Sequence, residues 1–405
     1  MNGTFLSPLL ADGLAWFEAP DPVILFALTL VFAGLAGEFV FRWLRLPRIT
    51  GYALIGILMG TSGLAEANPL DSAAQNIVTD IALGILLFEL GSRVRLAWLR
   101  ANPWLFATSL AEAGLTAVAV QAGLVWFGVP APAAVAAGLI AMSTSPAVVM
   151  QVTAEIRSQG QVTERLYVLT ALNAIYAVLA MKFLAGWWGF DTFHDGGRAL
   201  LTTLYLISGS LLMAALLAWA VHRLTRALDL REEPGAAVLF GLLLLTFAAL
   251  HLLGLPAVLA PLLAGILLKN VDPRPWLWPR HFGTAGGVLV LLLFVLGGAN
   301  LRWEDFFAGG LAGLALVGVR VLAKVVGVSL FARPSGLGLR QCLALGVALS
   351  PFSAVALALV LDFRVSHPDL GAALAPVLLS AMAVMELLGP IATQWSLRLA
   401  GEVRR

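Results

Sequence analysis

Long runs of apolar residues, broken at intervals by clusters of charge, proline and glycine, fill the chain between residues 23 and 397. A helix that crosses the hydrocarbon core of a bilayer needs about 20 apolar residues, because lipid offers no partner to an unpaired backbone N–H or C=O. The runs resolve into thirteen spans of this kind. The first six begin near Val23, Ile49, Ile77, Trp104, Ala131 and Arg165, and a seventh begins near Leu200. Six more begin near Ala236, Leu255, Phe282, Phe306, Arg340 and Leu370. The pattern predicts an all-α polytopic membrane protein of about thirteen transmembrane helices. Residues 1–22 carry Asp12, Glu18 and Asp21 without a basic n-region, and so read as an extracytoplasmic N-terminal segment rather than a signal peptide.

Composition narrows this picture. Hydrophobic residues make up 60% of the 405 positions and charged residues 12%, with a mean hydropathy of +0.92. Soluble domains carry about 25% charge and 45–50% apolar residues, so a soluble enzyme is excluded, and disorder with it. The net charge of +2 implies no nucleic-acid partner, and the single cysteine, Cys342, excludes an intrachain disulfide.

Placing the charges gives a topology. Basic residues cluster on alternate loops: Arg42, Arg45 and Arg48; Arg93, Arg95 and Arg100; Arg157 and Arg165; Arg223, Arg226 and Arg231; Lys269, Arg274 and Arg280; Arg333 and Arg340; and the tail Arg398, Arg404 and Arg405. The other loops hold only Arg198, Arg302 and Arg364. Cytoplasmic loops are enriched in Lys and Arg, so the N-terminus is expected outside and the C-terminus in the cytoplasm.

Short motifs recur at an offset of about 207 residues. Ile55-Gly56-Ile57-Leu58 matches Ala264-Gly265-Ile266-Leu267, and Leu86-Leu87-Phe88 matches Leu292-Leu293-Phe294. Ser143-Thr144-Ser145-Pro146 in span five matches Leu349-Ser350-Pro351-Phe352-Ser353 in span twelve. Two six-helix repeats, 23–190 and 234–397, then flank a linker helix at 199–226, with a cytoplasmic tail at 398–405. The odd linker makes the second repeat enter the membrane from the opposite face, which is the inverted-repeat architecture of many secondary transporters. A proline and several hydroxyls at mid-span predict that spans five and twelve are discontinuous helices that cross, since proline removes a backbone donor and broken backbone at membrane depth must be buried or line a cavity.

Ionisable groups inside spans are costly and usually functional. Glu38 and Glu89 precede Arg42 and Arg93 by four residues, a spacing that pairs them along one helix. Asp80, near the outer end of span three, has water within reach. Mid-depth groups are Glu112 on span four, Arg320 and Lys324 on span eleven, and Glu386 on span thirteen. Glu112 and Arg320 are related by the repeat offset, so the basic group is expected to serve one pair of half-helix ends and the acid the other. A buried ion pair that sets helix register is the competing reading. Lys324 is either a second such cation or snorkels toward the cytoplasm. Asn173, mid-span on span six, is the type of residue that glues helices together. His194, His222, His251, His281 and His367 show no metal-ligand spacing. With no metal site, nucleotide loop or catalytic triad in view, neither an enzyme activity nor a cofactor is expected.

Several of these residues resemble the cation:proton antiporter superfamily, in particular its bacterial sodium/proton antiporters and glutathione-gated potassium efflux systems. Gly51-Tyr52-Ala53-Leu54-Ile55-Gly56-Ile57-Leu58-Met59-Gly60, Ser62-Gly63-Leu64, Leu86-Leu87-Phe88, Ser143 to Val149, and Lys324 in Ala323-Lys324-Val325-Val326-Gly327 carry the resemblance, which covers essentially the whole chain. It implies exchange of Na+ or K+ for H+ by alternating access in a bacterial inner membrane. It also implies a core of spans four to six and eleven to thirteen moving against a panel that often forms a homodimer. In such proteins an Asp on span six, following Asn, Asp or Gln, binds the ion; here the pair reads Asn173-Ala174.

Two versions of the site follow from that departure. Glu386 or Glu112 has taken over the carboxylate role, with Asn173, Ser143, Thr144, Ser145 and Ser350 as neutral ligands and Arg320 and Lys324 compensating charge. Otherwise no acid replaces the Asp, and the chain is a non-exchanging channel-like or sensor protein, or carries an anionic solute drawn to Arg320, Lys324 and the half-helix N-termini.

Overall fold

A computed structural model describes residues 21–62, 72–188, 196–227, 233–272, 280–301, 303–331, 334–352 and 354–403. Residues 1–20 of the expected N-terminal segment lie outside these, as do Gly63, Leu64, His194, Arg231, Arg274, Arg302, Arg333, Ser353, Arg404 and Arg405. The described residues are nearly all helical. Helix α1 (Pro22–Phe39) starts where the Asp21 carboxylate accepts from the backbone N–H groups of Val23 and Ile24 at 2.7 and 3.2 Å, with Pro22 at the first position, where its missing N–H costs nothing. It runs on as a π turn, Val40–Leu44, and stops at Arg45, whose φ is 56°.

The remaining helices are α2 (Arg48–Thr61), α3 (Ser72–Gly91), the short α4 (Leu96–Ala101), α5 (Pro103–Trp126), α6 (Ala131–Ala141), α7 (Pro146–Glu155), α8 (Gln161–Trp188) and α9 (Gly196–Ala227). They are followed by α10 (Glu233–Leu252), α11 (Leu259–Val271), α12 (Arg280–Ala299), α13 (Trp303–Leu330), α14 (Leu339–Ala348), α15 (Ala354–Ser366) and α16 (Pro368–Ala400). Among the described residues seven helical segments are long and apolar enough to cross a membrane, the broken pair Ala131–Glu155 being one of them. Ala237–Leu252, Leu259–Val271, Gly286–Ala299 and Leu339–Ala348 are apolar but shorter, so length alone does not fix the expected count of thirteen.

The helices pack as two sets. Helices α5 to α8 and α13 to α16 form one, and α1 to α3 with α9 to α12 form the other. The first set holds the spans that the resemblance assigns to the moving core, the second those of the panel. Apolar residues of α3, α9, α10 and α11 make a separate buried cluster, from Ile81, Ile85 and Phe88 to Leu239, Phe247 and Ala264.

Glycines allow the closest crossings, and these recur between the halves. A Cβ on Gly56 would fall 2.5 Å from the Val295 carbonyl oxygen, and one on Gly265 would fall 2.2 Å from that of Phe88. The Gly-Ile motif of each half therefore packs on the Leu-Leu-Phe segment of the other, Gly56-Ile57 beside Phe294 and Val295 and Gly265-Ile266 beside Phe88. Likewise a Cβ on Gly138 would meet the Ala117 carbonyl oxygen at 2.4 Å, and one on Gly346 would meet Val325 Cα at 2.5 Å. Both members of this second contact are displaced by 208 positions between the halves. Backbone cannot be moved aside as a flexible side chain can, so overpacking here is costly. Gly138→Val and Gly346→Val are each expected to destabilise the detergent-solubilised protein by about 1–3 kcal/mol, read as a lower thermal midpoint. Gly114→Val, with nothing within 4 Å of its Cβ, should leave the midpoint nearly unchanged.

Candidate functional site

Helices α6 and α7 are the two halves of span five, separated at Met142–Ser145, and α14 and α15 are the halves of span twelve, separated after Ala348. Each interruption leaves carbonyls at the end of the first half without helical partners. Arg320, on α13, meets them. Its Nε donates to the Ala141 carbonyl at 2.9 Å, one Nη to Ser143 at 2.5 Å and Pro351 at 3.4 Å, and the other to Ser350. The guanidinium also covers the Phe352 ring at 4.1 Å. The interruptions hold each other as well: Ser145 N–H donates to the Pro351 carbonyl at 3.1 Å and Thr144 Oγ1 to that of Leu349 at 3.0 Å. Five fixed N–H donors make Arg suited to such a fork of acceptors.

One turn along α13, Lys324 forms an ion pair with Glu112 of α5, both side chains having no exposure at all. Lys324 Nζ also reaches the Met142 carbonyl at 3.2 Å and Thr144 Oγ1 at 3.3 Å. Asn173 Nδ2 donates to the second oxygen of Glu112 at 2.8 Å and to Thr144 Oγ1 at 3.2 Å. A Cβ on Gly327 would stand 2.5 Å from Glu112 Cα, so a glycine on α13 lets the two helices come this close. Asn173 Oδ1 and the nearby Thr170 Oγ1 are buried without a partner among the described residues.

This geometry corrects one expectation. Glu112 does not mirror Arg320 at half-helix ends; its two carboxylate oxygens are taken by Lys324 and Asn173. Lys324 is wholly buried rather than snorkelling. Asn173 does more than glue two helices, because it completes the carboxylate shell. Ala174 beside it is fully buried.

Glu386 lies elsewhere. It is half-buried on α16, makes no hydrogen bond or ion pair among the described residues, and lines a cavity of about 550 Å³. Gln75, Thr79, Asp80, His251, Gly297 and Asn300 form one wall, and Ser145, Ala147, Ala354, Asp362 and Glu386 belong to the other. The cavity lies toward the face poor in basic residues. Asp80 accepts from or shares a proton with His251 Nε2 at 2.8 Å, and Lys182 pairs with Asp362 at 2.7 Å. A second cavity, about 670 Å³, lies toward the basic-rich face and is lined by Arg93, Met150, Thr153, Ala154, Arg157 and Tyr167 among others. Along α7 the first cavity ends at Ala147 and the second at Met150. At 1.5 Å per residue these two lining positions are about 4.5 Å apart along the helix.

The hydroxyls divide in the same way. Thr144 belongs to the Glu112 network, Ser143 Oγ donates to the Ile140 carbonyl, Ser145 Oγ caps α7 by accepting from Val148 N–H, and Ser350 Oγ is buried without a partner among the described residues. The structure thus gathers Glu112, Asn173, Thr144 and Lys324 in one cluster and Ser145 with Glu386 at one cavity. Sequence reasoning assigned Asp80 only a water-facing role and missed His251, Asn300 and Asp362 as cavity residues, since they come from three separate helices or their ends.

The model of the sodium/hydrogen exchanger transmembrane family matches residues 27–399. The chain belongs to the sodium/hydrogen exchanger family. Among solved structures, this exchanger-family chain resembles the sodium proton antiporter MjNhaP1 from Methanocaldococcus jannaschii. At pH 8 the likeness has a TM-score of 0.62 over 93% of this chain and 95% of that one. Against the electron-microscopy structure the TM-score is 0.70, over 94% and 97%. Identity is 19% in both, so the likeness speaks for the fold. Two curated proteins, each named 2-keto-3-deoxygluconate permease 1, from Salmonella typhimurium strain LT2 and Salmonella typhi, are 34% identical over 152 residues. That match covers 36% of this chain and 45% of the relatives, so the chain spans less than half the length of the curated proteins it matches.

Breaking a buried pair strands a charge, whereas replacing both partners by apolar groups does not. Glu112→Leu and Lys324→Met alone are each expected to cost about 3–5 kcal/mol in thermal unfolding, and the double variant to recover most of that loss. A double variant as unstable as the sum of the singles would show that the two side chains are not energetically coupled.

Proposed function

We propose that this family member exchanges a monovalent cation, Na+ or K+, for H+ by alternating access, and that Glu386 is the carboxylate both ions use. The observation that carries this reading is the placement of Glu386 without a basic partner among the described residues, in a cavity whose other ionisable lining residues are Asp80, Asp362 and His251. Asp80 and Asp362 are held by His251 and Lys182, which leaves Glu386 as the carboxylate there without such a partner among the described residues, and an anion in a low-dielectric cleft raises the local concentration of cations. A carboxylate binds one proton or one monovalent cation at a time, and competition between them is sufficient for one-for-one exchange.

The Glu112–Lys324 pair, neutral as a unit, is then a fixed element of the core, and the charge that the family supplies at the position of Ala174 is supplied instead from α16. Ala147 and Met150, which line the two cavities, are close enough along α7 that a shift of the core against the panel by about one helical turn, 5.4 Å, would transfer access from one face to the other. We further propose that the repeats are 23–190 and 234–397, that the protein is a homodimer in a bacterial inner membrane, and that the basic-rich face is the cytoplasmic one.

A second reading has its own support. The stretch shared with proteins named as 2-keto-3-deoxygluconate permeases, together with Arg320 and Lys324, would suit an anionic solute. Against it, Arg320 is spent on four carbonyls and Lys324 on Glu112, so neither of these cations is free to meet an anion in the cavity beside Glu386.

Inverted vesicles with an imposed pH gradient test both. Adding Na+, K+ or Li+ should dissipate the gradient, and labelled 2-keto-3-deoxygluconate should not be taken up. Glu386→Gln is expected to abolish exchange while the protein still folds, and the Glu112→Leu/Lys324→Met double variant to retain it. Exchange that survives Glu386→Gln would defeat the assignment of the carboxylate; no response to any of the three cations would defeat the exchange reading itself.

A further inference from the structure

The two faces of the protein differ in how the helix sets are joined. Toward the basic-poor face, Asp80–His251 joins α3 to α10 and Lys182–Asp362 joins α8 to α15, so each pair stays within one set and the walls of the Glu386 cavity stand apart. Toward the basic-rich face, polar links cross between the sets. Glu155, the last residue of α7, is only 3% exposed at its side chain and pairs with Arg48 Nη1 at 3.0 Å. Its two oxygens also accept from the Arg48 backbone N–H at 3.2 and 3.3 Å, so the carboxylate sits on the N-terminus of α2, where partial positive charge favours an anion. Arg48 in turn is held from the panel side by Glu38 of α1 at 2.9 Å and lies over the Phe41 ring at 3.7 Å. A second crossing link runs from Arg398, at the end of α16, to the Arg45 carbonyl at 3.3 Å.

We propose that the Glu155–Arg48 bridge is a gate that clamps core to panel on the basic-rich face and must part before the cavity lined by Met150 can open there. The inference rests on the alternating-access reading above. Arg48 is anchored to its own set by Glu38, so the bond that yields is the one to Glu155. The position of Glu155 suits a gate as well, because it adjoins Ala154, which lines the basic-rich cavity, and terminates the same half-helix whose first turn lines the Glu386 cavity. A displacement of α7 is thereby felt at both cavities at once. Hydrogen bonds to charged groups are worth more than neutral ones, and this carboxylate receives three in a nearly dry position.

Thiol accessibility reads the gate without depending on transport. In a Cys342→Ser background, which removes the one native and buried cysteine, Thr79→Cys reports the basic-poor cavity and Met150→Cys the basic-rich one. A membrane-impermeant maleimide is applied to vesicles of each orientation. Glu155→Gln and Arg48→Gln are each expected to raise labelling at Met150→Cys and lower it at Thr79→Cys, by about fivefold or more. Size-exclusion profiles identify any variant that fails to fold, and Arg48→Gln, which keeps the backbone contact to Glu155, carries the test if Glu155→Gln does so. Unchanged rates at both sites would overturn the gate and leave a static bridge; rates that rise together would overturn it in favour of general loosening. Failure of ion exchange in the unmodified protein would sink the functional reading and leave opposed labelling changes as evidence for the gate.

Discussion

Broken backbone inside a membrane must find partners within the protein, and in this chain one guanidinium meets most of that demand. Arg320 gathers the carbonyls of Ala141, Ser143, Ser350 and Pro351, which belong to two different spans. Holding both interruptions at one point fixes where α6, α7, α14 and α15 cross, and hence where the half-helices that line the cavities begin. Neither interruption could be tolerated at that depth without such a group. A lysine, with a compact ammonium and no planar fork, could not address all four acceptors together.

Around that crossing the structure holds two separate groups of ionisable residues. Charge compensation inside the core is carried by Lys324 and Glu112 with Asn173 and Thr144, a set dry enough that no member has any exposure. Glu386 lies apart from it at the cavity, beside Gly297, whose Cβ would stand 3.9 Å from Oε1.

The glycine crossings explain how two sets of helices can be so tightly built internally and still be separable. Each of the close approaches that recur between the repeats, Gly56 on Val295, Gly265 on Phe88, Gly138 on Ala117 and Gly346 on Val325, lies within one set. Between the sets α8 packs on α9, α16 on α2 and α7 on α3, and on the basic-rich face the ion pair Glu155–Arg48 and the hydrogen bond from Arg398 to the Arg45 carbonyl cross as well. Two sets that are each built on such backbone-close crossings, and that meet through apolar side chains, are the kind of structure that changes state by moving one body against the other rather than by deforming either.

Sequence alone determined what depends on local composition and on solvent. Lipid as the surrounding medium, helices as the element, the broken spans at Ser143–Pro146 and Ser350–Ser353 and the repeat offset follow from hydropathy, proline and motif spacing, and each of these reads along the chain. The pairs Glu38–Arg42 and Glu89–Arg93 were legible for the same reason, four residues being one helical turn. Tertiary structure decided which charges meet. Glu112 and Lys324 are 212 positions apart and Glu155 and Arg48 are 107 apart, and Asp80, Asp362 and Glu386 converge on one cavity from three helices. The repeat symmetry suggested that Glu112 would act as the counterpart of Arg320, but symmetry relates backbone positions, whereas the partner of a buried charge is chosen by which opposite charge the packing brings within reach.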